Sequence, residues 1–137
     1  MLQQSATAQK KLDISSCKEV FLKKLNQIVL KNIKSEDLNI ELLAQKMAIS
    51  RSQLHRNLKK FTRLSASNYV RRFRLKIASK LLTKPINSIS QIAYKVGIYN
   101  LSYFSKSFKE EFGKTPIEFY EFHNQQNKHF FRANKNY

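Results

Sequence analysis

Apolar residues recur every three or four positions along most of the chain, and this period is typical of amphipathic α-helices. The first such stretch predicts a helix from Ser16 to about Ile33, because Ser16 and Glu19 have the spacing of a capping box. Its apolar positions are Phe21, Leu25, Ile28 and Val29. Residues 1–14 lack this period and are predicted to form a flexible lead-in.

Two short helices joined by a tight turn follow. Asn39 can cap the first, and Ser50 with Gln53 forms a capping box that opens the second. Their apolar positions are Leu42, Leu43 and Met47 in the first helix and Leu54, Leu58 and Phe61 in the second. Only Ala48 and Ile49 lie between the two helices, so the pattern predicts a helix-turn-helix.

A longer connector helix is predicted over residues 67–83. It ends there because Lys84 precedes Pro85, and the residue before a proline disfavours helical torsions. The positions expected to face inward are Val70, Phe73, Ile77 and Leu81.

The arrangement of two short helices then occurs a second time. Ser88 and Gln91 form a capping box, and Gly97 stands where a left-handed residue ends a helix. The next helix is predicted from Asn100 to Phe112, before Gly113. The apolar positions of this pair are Ile89, Ile92, Ala93, Val96, Phe104, Phe108 and Phe112.

A last helix is predicted from Pro116 to about His123, with Thr115 and Glu118 as its capping box. Residues 125–137 are expected to form a basic tail. The two short-helix pairs also align with each other, which indicates an internal repeat. Ala44, Met47 and Ile49 match Ala93, Val96 and Ile98, while Leu54, Leu58, Lys59 and Tyr69 match Phe104, Phe108, Lys109 and Phe119. The sequence therefore predicts an all-α fold of about seven helices, in which helix-turn-helix subdomains at 15–66 and 84–124 are joined by the connector.

The charges are unevenly distributed along the chain. Lys and Arg total 26 against 9 Asp and Glu, which gives a formal charge of +17. The acidic residues lie towards both ends, and residues 51–109 contain none of them but 14 basic residues. A helical stretch of this kind is typical of a protein that binds along a polyphosphate backbone. Two alternatives are a nonspecific nucleic-acid coating protein and a membrane-active basic helical protein.

Several other classes of protein are excluded. No apolar run approaches the ~18 residues of a membrane span. The three histidines are scattered, the single Cys17 cannot form an internal disulfide, and no glycine-rich phosphate loop is present, so we expect no enzyme, no cofactor and no metal site. Cys17 is expected to be a small buried apolar residue in a cytoplasmic protein.

Three stretches carry a resemblance to a known family. These are LA at 43–44 with ISRSQL at 49–54, then YVRRFRL at 69–75, and then ISQIAYKVGI at 89–98 with YFSKSFK at 103–109 and TP at 115–116. From Phe21 to Phe122 the chain resembles the DNA-binding domain of the AraC/XylS family of bacterial transcription regulators. The first helix also looks like the output domains of hybrid two-component regulators. Arg63 and Ala66 depart from the family pattern, which has Gly and Pro there.

In a helix-turn-helix, the second helix enters the major groove and its N-terminal half reaches the base edges. In the first unit, Arg56 can bind guanine and Gln53 can bind adenine through two hydrogen bonds each. The base-contact candidates there are Ser52, Gln53, His55 and Arg56. In the second unit, the resemblance implies Leu101, Ser102, Tyr103, Ser105 and Lys106. Leu101 either contacts thymine methyl groups or packs locally.

Phosphate contacts are expected from helix N-termini and flanking basic residues. The candidates are Ser50, Arg51, Lys59, Arg71, Arg72, Ser88, Asn100 and Lys109. Arg74 is a possible structural residue, because one connector arginine of the family packs internally. Most of the aromatic residues have core spacing, and Tyr99 and Tyr103 are the exceptions that remain candidates for base stacking.

The resemblance implies a sequence-specific regulator of transcription that inserts two recognition helices into successive major-groove segments of double-stranded DNA. The expected partners are a DNA operator, RNA polymerase and a signal-sensing domain or protein outside residues 18–124, with no membrane partner. The expected location is the bacterial cytoplasm, in association with the nucleoid.

Overall fold

The computed structural model describes the backbone of residues 2–134 and the side chains of residue 13 and residues 15–125. Within that range the chain forms seven α-helices. They are α1 (Leu2–Lys31), α2 (Ile40–Met47), α3 (Arg51–Thr62), α4 (Ala66–Leu81), α5 (Ile89–Lys95), α6 (Leu101–Phe112) and α7 (Pro116–Asn134). The predicted all-α fold with two helix-turn-helix pairs and a connecting helix is confirmed.

The helices form two compact units. Unit 1 contains the residues up to Asn32 together with Asp37–Ser67, and unit 2 contains Ile33–Glu36 and the residues from Asn68 onward. The connector α4 belongs to unit 2 apart from its first two residues. The short segment between α1 and α2 also belongs to unit 2, which no sequence pattern indicated.

In unit 1, α1 packs against α2 and α2 packs against α3. The fully buried side chains of these helices are Leu25, Val29, Leu43, Leu54 and Leu58. Each one stabilises the fold by roughly 1.5–3 kcal/mol through removal of apolar surface from water. Phe21 of α1 adds an aromatic contact with Phe61 of α3, with the ring centroids 5.6 Å apart.

The turn between α2 and α3 is closed by backbone and capping hydrogen bonds. Ala48 adopts a left-handed conformation with φ of 58°, and the Ile49 N–H donates to the Ala44 carbonyl at 3.1 Å. The Ser50 Oγ then accepts from the Gln53 N–H at 3.1 Å, as the capping-box spacing predicted. These bonds fix the residue at which α3 begins.

In unit 2, one apolar cluster is built from α4, α5 and α6, with α7 packed against it. Its buried members are Leu75, Ala78, Leu82, Ile92, Ala93, Val96, Ile98, Phe104 and Phe108. Phe119 of α7 meets Phe108 of α6 edge to face at 5.3 Å. The α5–α6 turn contains Gly97 at φ of 83°, and Gly113 ends α6 at φ of 76°.

The face of α4 differs in part from the prediction. Val70 is buried as expected, but Phe73, Ile77 and Leu81 are only half-buried. The fully buried positions are Leu75 and Ala78 in the helix and Leu82 directly after its end. Two apolar stripes lie side by side on this helix, and the sequence pattern alone did not show which of them faces the core.

The flexible lead-in and the burial of Cys17 are wrong predictions, and the last helix is longer than predicted. Residues 2–14 belong to α1 rather than to a flexible lead-in, and α7 continues to Asn134 through most of the predicted basic tail. Neither segment contains a Gly or an interior Pro to stop a helix. Cys17 is exposed because α1 is exposed throughout residues 15–20. Residues 1 and 135–137 of these predictions lie outside the described residues.

Arg63 ends α3 in a left-handed conformation, with φ of 62°. Its N–H donates to the carbonyls of Leu58 and Lys59. This is the position where the resemblance leads one to expect Gly, so a residue with a Cβ occupies a turn that costs a non-glycine residue roughly 1–2 kcal/mol.

We therefore expect Arg63→Gly to raise the free energy of unfolding by about 0.5–1 kcal/mol, as the relieved strain exceeds the added chain entropy. Denaturant unfolding of the purified protein measures this difference. Arg63→Ala is the control, because it removes the charge and leaves the backbone strain. Equal stability of the Gly and Ala variants would contradict the prediction.

Candidate nucleic-acid interface

The burial of one face of α3 leaves its other face in solvent. Leu54 and Leu58 are fully buried, whereas Ser52, His55 and Arg56 are exposed and Gln53 is half-buried. All four predicted base-contact residues of the first unit therefore lie on the N-terminal half of one helix. This arrangement offers several hydrogen-bond donors and acceptors on a helix that presents one face to solvent.

The two side chains predicted to bind bases through two hydrogen bonds are bound to each other. Arg56 Nη2 donates to Gln53 Oε1 at 3.0 Å, and Gln53 Nε2 donates to Asn57 Oδ1 at 2.9 Å. Both polar atoms of the Gln53 amide are thus hydrogen-bonded. Arg56 keeps its remaining N–H donors for a ligand. The sequence analysis missed Asn57, although its spacing of four residues from Gln53 is the spacing of neighbours on a helix face.

A shallow depression lies at the start of α3. It is lined by Ile40 of α2 and by Arg51, Ser52, His55 and Arg56 of α3. Ile40 was also missed by the sequence analysis, because it precedes the apolar stripe of α2. Its presence gives the predicted polar surface an apolar edge.

The phosphate candidates of unit 1 have different partners. The Ser50 hydroxyl caps α3, and Lys59 is exposed. Arg51 Nη1 lies 3.2 Å from Glu41 Oε1, and both side chains are 65% exposed. An ion pair this exposed contributes little to stability, so Arg51 can exchange its carboxylate partner for another anion at small cost.

In unit 2, α6 is oriented by Phe104 and Phe108, which are fully buried. Asn100 Oδ1 caps the helix by accepting from the Tyr103 N–H at 2.8 Å. Of the predicted base-contact residues, Ser105 is half-buried and the exposed ones are Leu101, Ser102, Tyr103 and Lys106. Leu101 is 45% exposed, so a large part of its side chain remains open to a ligand.

The phosphate candidates of unit 2 range from exposed to partly buried. Lys109 is exposed, and the Ser88 hydroxyl caps α5 by accepting from the Gln91 N–H at 3.2 Å. Arg72 Nε donates to Glu111 Oε1 at 2.9 Å, so an acid near the end of α6 holds this arginine. Arg71 is half-buried, and its Nε atom is buried without a hydrogen-bond partner.

Arg74 has the structural role that the sequence analysis left open. Its guanidinium donates to the Ile33 carbonyl at 3.2 Å and to the Ser35 carbonyl at 2.9 Å. Burial lowers the pKa of Arg74 from its ordinary value, and the nearby Tyr99 and Tyr103 act in the opposite direction. Tyr99 itself donates its hydroxyl hydrogen to the Lys34 carbonyl, so this base-stacking candidate also has an internal partner.

Neither a membrane-spanning helix nor a metal-binding group of side chains is found among the described residues. No helix among them is long and apolar enough to cross a bilayer. No group of three or more His, Cys, Asp or Glu side chains in this part of the chain is placed to hold a metal ion.

The pairing of Arg51 with Glu41 generates a prediction. Glu41→Gln frees Arg51 and removes a negative charge beside the candidate phosphate contact. We expect tighter binding to duplex DNA of any sequence, by about 0.3–1 kcal/mol, which is the range for an exposed ion pair. Fluorescence anisotropy with labelled duplexes measures the affinity. Glu19→Gln on the exposed part of α1 removes the same charge and serves as the control. An equal gain in both variants, or no gain in Glu41→Gln, would refute a phosphate contact by Arg51.

Comparison with known proteins places this geometry in a family. A family model described as a helix-turn-helix domain matches residues 43–121. A transcriptional regulator with an AraC-type DNA-binding domain from Chromobacterium violaceum has a similar structure, with a TM-score of 0.69 and 30% identity over 78% of this chain and 92% of that one. The C-terminal domain of AraT, a response regulator from Geobacillus stearothermophilus, is similar with a TM-score of 0.65 and 27% identity, covering 72% of this chain and 82% of that one.

Among curated proteins, Histidine kinase P4 of Formosa agariphila is 34% identical over 115 residues, or 84% of this chain. The chain spans 8% of the length of that relative, and 30% and 34% of two others that it matches. The family match begins within α2, at residue 43, and covers the rest of both helix-turn-helix pairs and the connector between them. The chain therefore belongs to the AraC/XylS family of helix-turn-helix transcription regulators.

Proposed function

We propose that this chain is the DNA-reading part of a bacterial transcription regulator, and that it inserts α3 and α6 into successive major-groove segments of double-stranded DNA. The observation that carries the proposal is the repeated design of these two helices. Each is capped at its N-terminus, is held by two fully buried apolar residues four positions apart, and presents a polar or mixed face to solvent. All of α3 and the first nine residues of α6 lie within residues 51–109, which contain no Asp or Glu.

In unit 1, reading is based on hydrogen bonds. Arg56 donates to guanine O6 and N7, and Gln53 pairs with the adenine edge once its bonds to neighbours exchange for bonds to the base. The exposed hydrogen bond between these two side chains contributes little, so this exchange is not a large barrier. Ser52 and His55 extend the same face and contact neighbouring bases.

In unit 2, reading has more apolar character. Lys106 and Ser102 supply the donors, while Leu101 and Tyr103 present apolar surface that fits thymine methyl groups. Ser105, which is half-buried, contributes at the edge of this surface. We infer that unit 2 discriminates fewer base pairs by hydrogen bonding than unit 1 does.

Phosphate contacts position both helices without reading the sequence. The capping residues Ser50, Ser88 and Asn100 lie where helix N-termini favour anions. The basic contacts come from Arg51, Lys59, Arg71, Arg72 and Lys109. The absence of Asp and Glu from residues 51–109 limits the repulsion toward phosphate to acids from outside this stretch, such as Glu41 beside Arg51 and Glu111 beside Arg72.

The signal that controls binding is proposed to arrive from a sensing region elsewhere, on the same polypeptide or on a partner protein. The support is that the curated relatives are much longer than this chain, and that one is named a histidine kinase and one structural neighbour belongs to a response regulator. We further propose RNA polymerase as a partner on the bound DNA, and a cytoplasmic location in association with the nucleoid.

The role of Arg56 is tested by comparing it with Lys59. We expect Arg56→Ala to lower the affinity for the preferred site by about 1–3 kcal/mol and to relax the preference at one base pair, because a contact with two hydrogen bonds is lost. Lys59→Ala should weaken binding to every sequence and reduce the salt dependence by about one phosphate contact. Selection from a random duplex pool, followed by titration at two salt concentrations, measures both. Uniform weakening by Arg56→Ala would make Arg56 a phosphate contact instead.

The two-helix insertion is tested by footprinting a monomer. The connector α4 has 16 residues and is therefore about 24 Å long, against ~34 Å between adjacent major-groove segments on one DNA face. We expect two protected segments, flexible base steps between them and a bend of tens of degrees.

The double variant Ser102→Ala with Lys106→Ala should lose the second segment and keep the first. Protection of one segment on straight DNA by the wild-type chain would refute insertion of both helices. Equal affinity for selected and random duplexes would favour the nonspecific nucleic-acid-binding alternative.

A further inference from the structure

The segment between α1 and α2 is held by unit 2 through three backbone carbonyl groups. Arg74 of α4 binds the carbonyls of Ile33 and Ser35, and the Tyr99 hydroxyl binds the carbonyl of Lys34 between them. Three consecutive carbonyls thus accept hydrogen bonds from two side chains that are far from them in sequence. We call the segment Ile33–Glu36 with its two donors the clasp.

Gly97 lies so close to the clasp that a residue with a side chain would clash with it. A Cβ at this position would lie 1.9 Å from the Ile33 carbonyl oxygen and 3.2 Å from Arg74 Nε. Both neighbours belong to the clasp, and one of them is backbone. The turn between α5 and α6 therefore touches the segment directly.

The clasp is also continuous with the start of α6. Tyr99 precedes Asn100, which is the N-cap of α6. The ring of Tyr99 meets Tyr94 of α5 edge to face at 5.1 Å, and Lys34 Nζ lies 5.8 Å from the Tyr94 ring centroid. Both aromatic residues that flank the turn are therefore in contact with one short segment from a distant part of the sequence.

We propose that the segment Ile33–Glu36 positions the N-terminal half of α6 for base reading, with Tyr99 and Arg74 as the positioning residues. The inference rests on the proposed function of α6 as a DNA-reading helix. Base readout requires side chains to be held within a fraction of an ångström, and a turn that is free on one side leaves the first residues of the helix able to shift. The clasp supplies the missing support from outside the α5–α6 pair.

The first test compares two glycine variants. Gly97→Ala and Gly113→Ala place a Cβ at nearly equal positive φ, 83° and 76°, but only Gly97 has atoms within 4 Å of that Cβ. The backbone strain is therefore matched, and the difference between the variants reports the contact with the clasp. We expect Gly97→Ala alone to lose discrimination at the base pairs whose preference Lys106→Ala relaxes.

The second test removes one hydroxyl and does not depend on the folding of Gly97→Ala. We expect Tyr99→Phe to reduce discrimination at the base pairs read by α6 by about threefold to tenfold, the range for one lost hydrogen bond, and to leave those read by α3 unchanged. Tyr94→Phe removes the other hydroxyl of the same aromatic pair. It should change discrimination neither at the base pairs read by α6 nor at those read by α3. Competition between matched and single-substituted duplexes measures each ratio, and thermal melting confirms that each variant is folded.

Three outcomes would overturn the positioning role alone, and a fourth would overturn it together with the proposed function. Equal weakening of all sequences by Tyr99→Phe would make the hydroxyl a phosphate contact, and unchanged ratios in a folded variant would show that the clasp does not position α6. Loss of discrimination by Gly113→Ala equal to that by Gly97→Ala would assign the effect to backbone strain. A wild-type chain with no base preference at all would instead refute the proposed function, and the positioning role with it.

Discussion

The rotation of α3 and α6 about their own axes is the constraint on which the rest of the structure depends. Each helix has two fully buried residues one turn apart, Leu54 and Leu58 in α3 and Phe104 and Phe108 in α6. A rotation of either helix by one residue would expose these side chains, at about 1.5–3 kcal/mol each, and would turn polar groups toward the core. The outward face is therefore set by burial, and the residues on it need no contact of their own to be presented to solvent.

The basic residues of this surface fall into exchangeable and fixed cations. Arg51 and Arg72 each pair with one glutamate, and Arg51 is two-thirds exposed, so solvent screens its pair and a phosphate can replace the carboxylate. Arg74 is different, because it is half-buried and donates to the carbonyls of Ile33 and Ser35. Loss of its guanidinium would remove a charge-assisted hydrogen bond from each of these two part-buried acceptors. The number of arginines therefore overstates the positive charge that is available to DNA. The partner of each arginine determines whether it is an exchangeable or a fixed cation.

The helices from α2 onward and several of their caps could be predicted from the sequence, because each cap is a local interaction within four residues. The capping box predicted at Ser16 and Glu19 is wrong, since both residues lie inside α1. Ser50, Ser88 and Thr115 act as the spacing indicates. Two features depend on long-range contacts and could not be predicted. One is the choice of the apolar stripe of α4 that faces the core, and the other is the packing of Ile33–Glu36 in unit 2. The predicted base-contact residues lie on the solvent side of α3 and α6, but the bond between Gln53 and Arg56 was missed. The spacing of Gln53 and Arg56 places both on one helix face but does not show that their side chains bind each other.

The two units are repeats in backbone design and unequal in surface chemistry. The exposed half of α3 carries guanidinium, amide and imidazole groups, whereas that of α6 carries an isobutyl group, a phenol, hydroxyls and one ammonium. Groups that make two hydrogen bonds to a base edge reject a wrong base strongly, because a mismatch leaves buried polar atoms unpaired, while apolar contact with a methyl group rejects it weakly. Hydrogen bonds are directional, so the donors on a helix discriminate between bases only while the helix is held in place. The support that we propose Tyr99 and Arg74 give to the start of α6 therefore protects the few donors of that helix, Ser102 and Lys106, whose alignment a small shift would disturb.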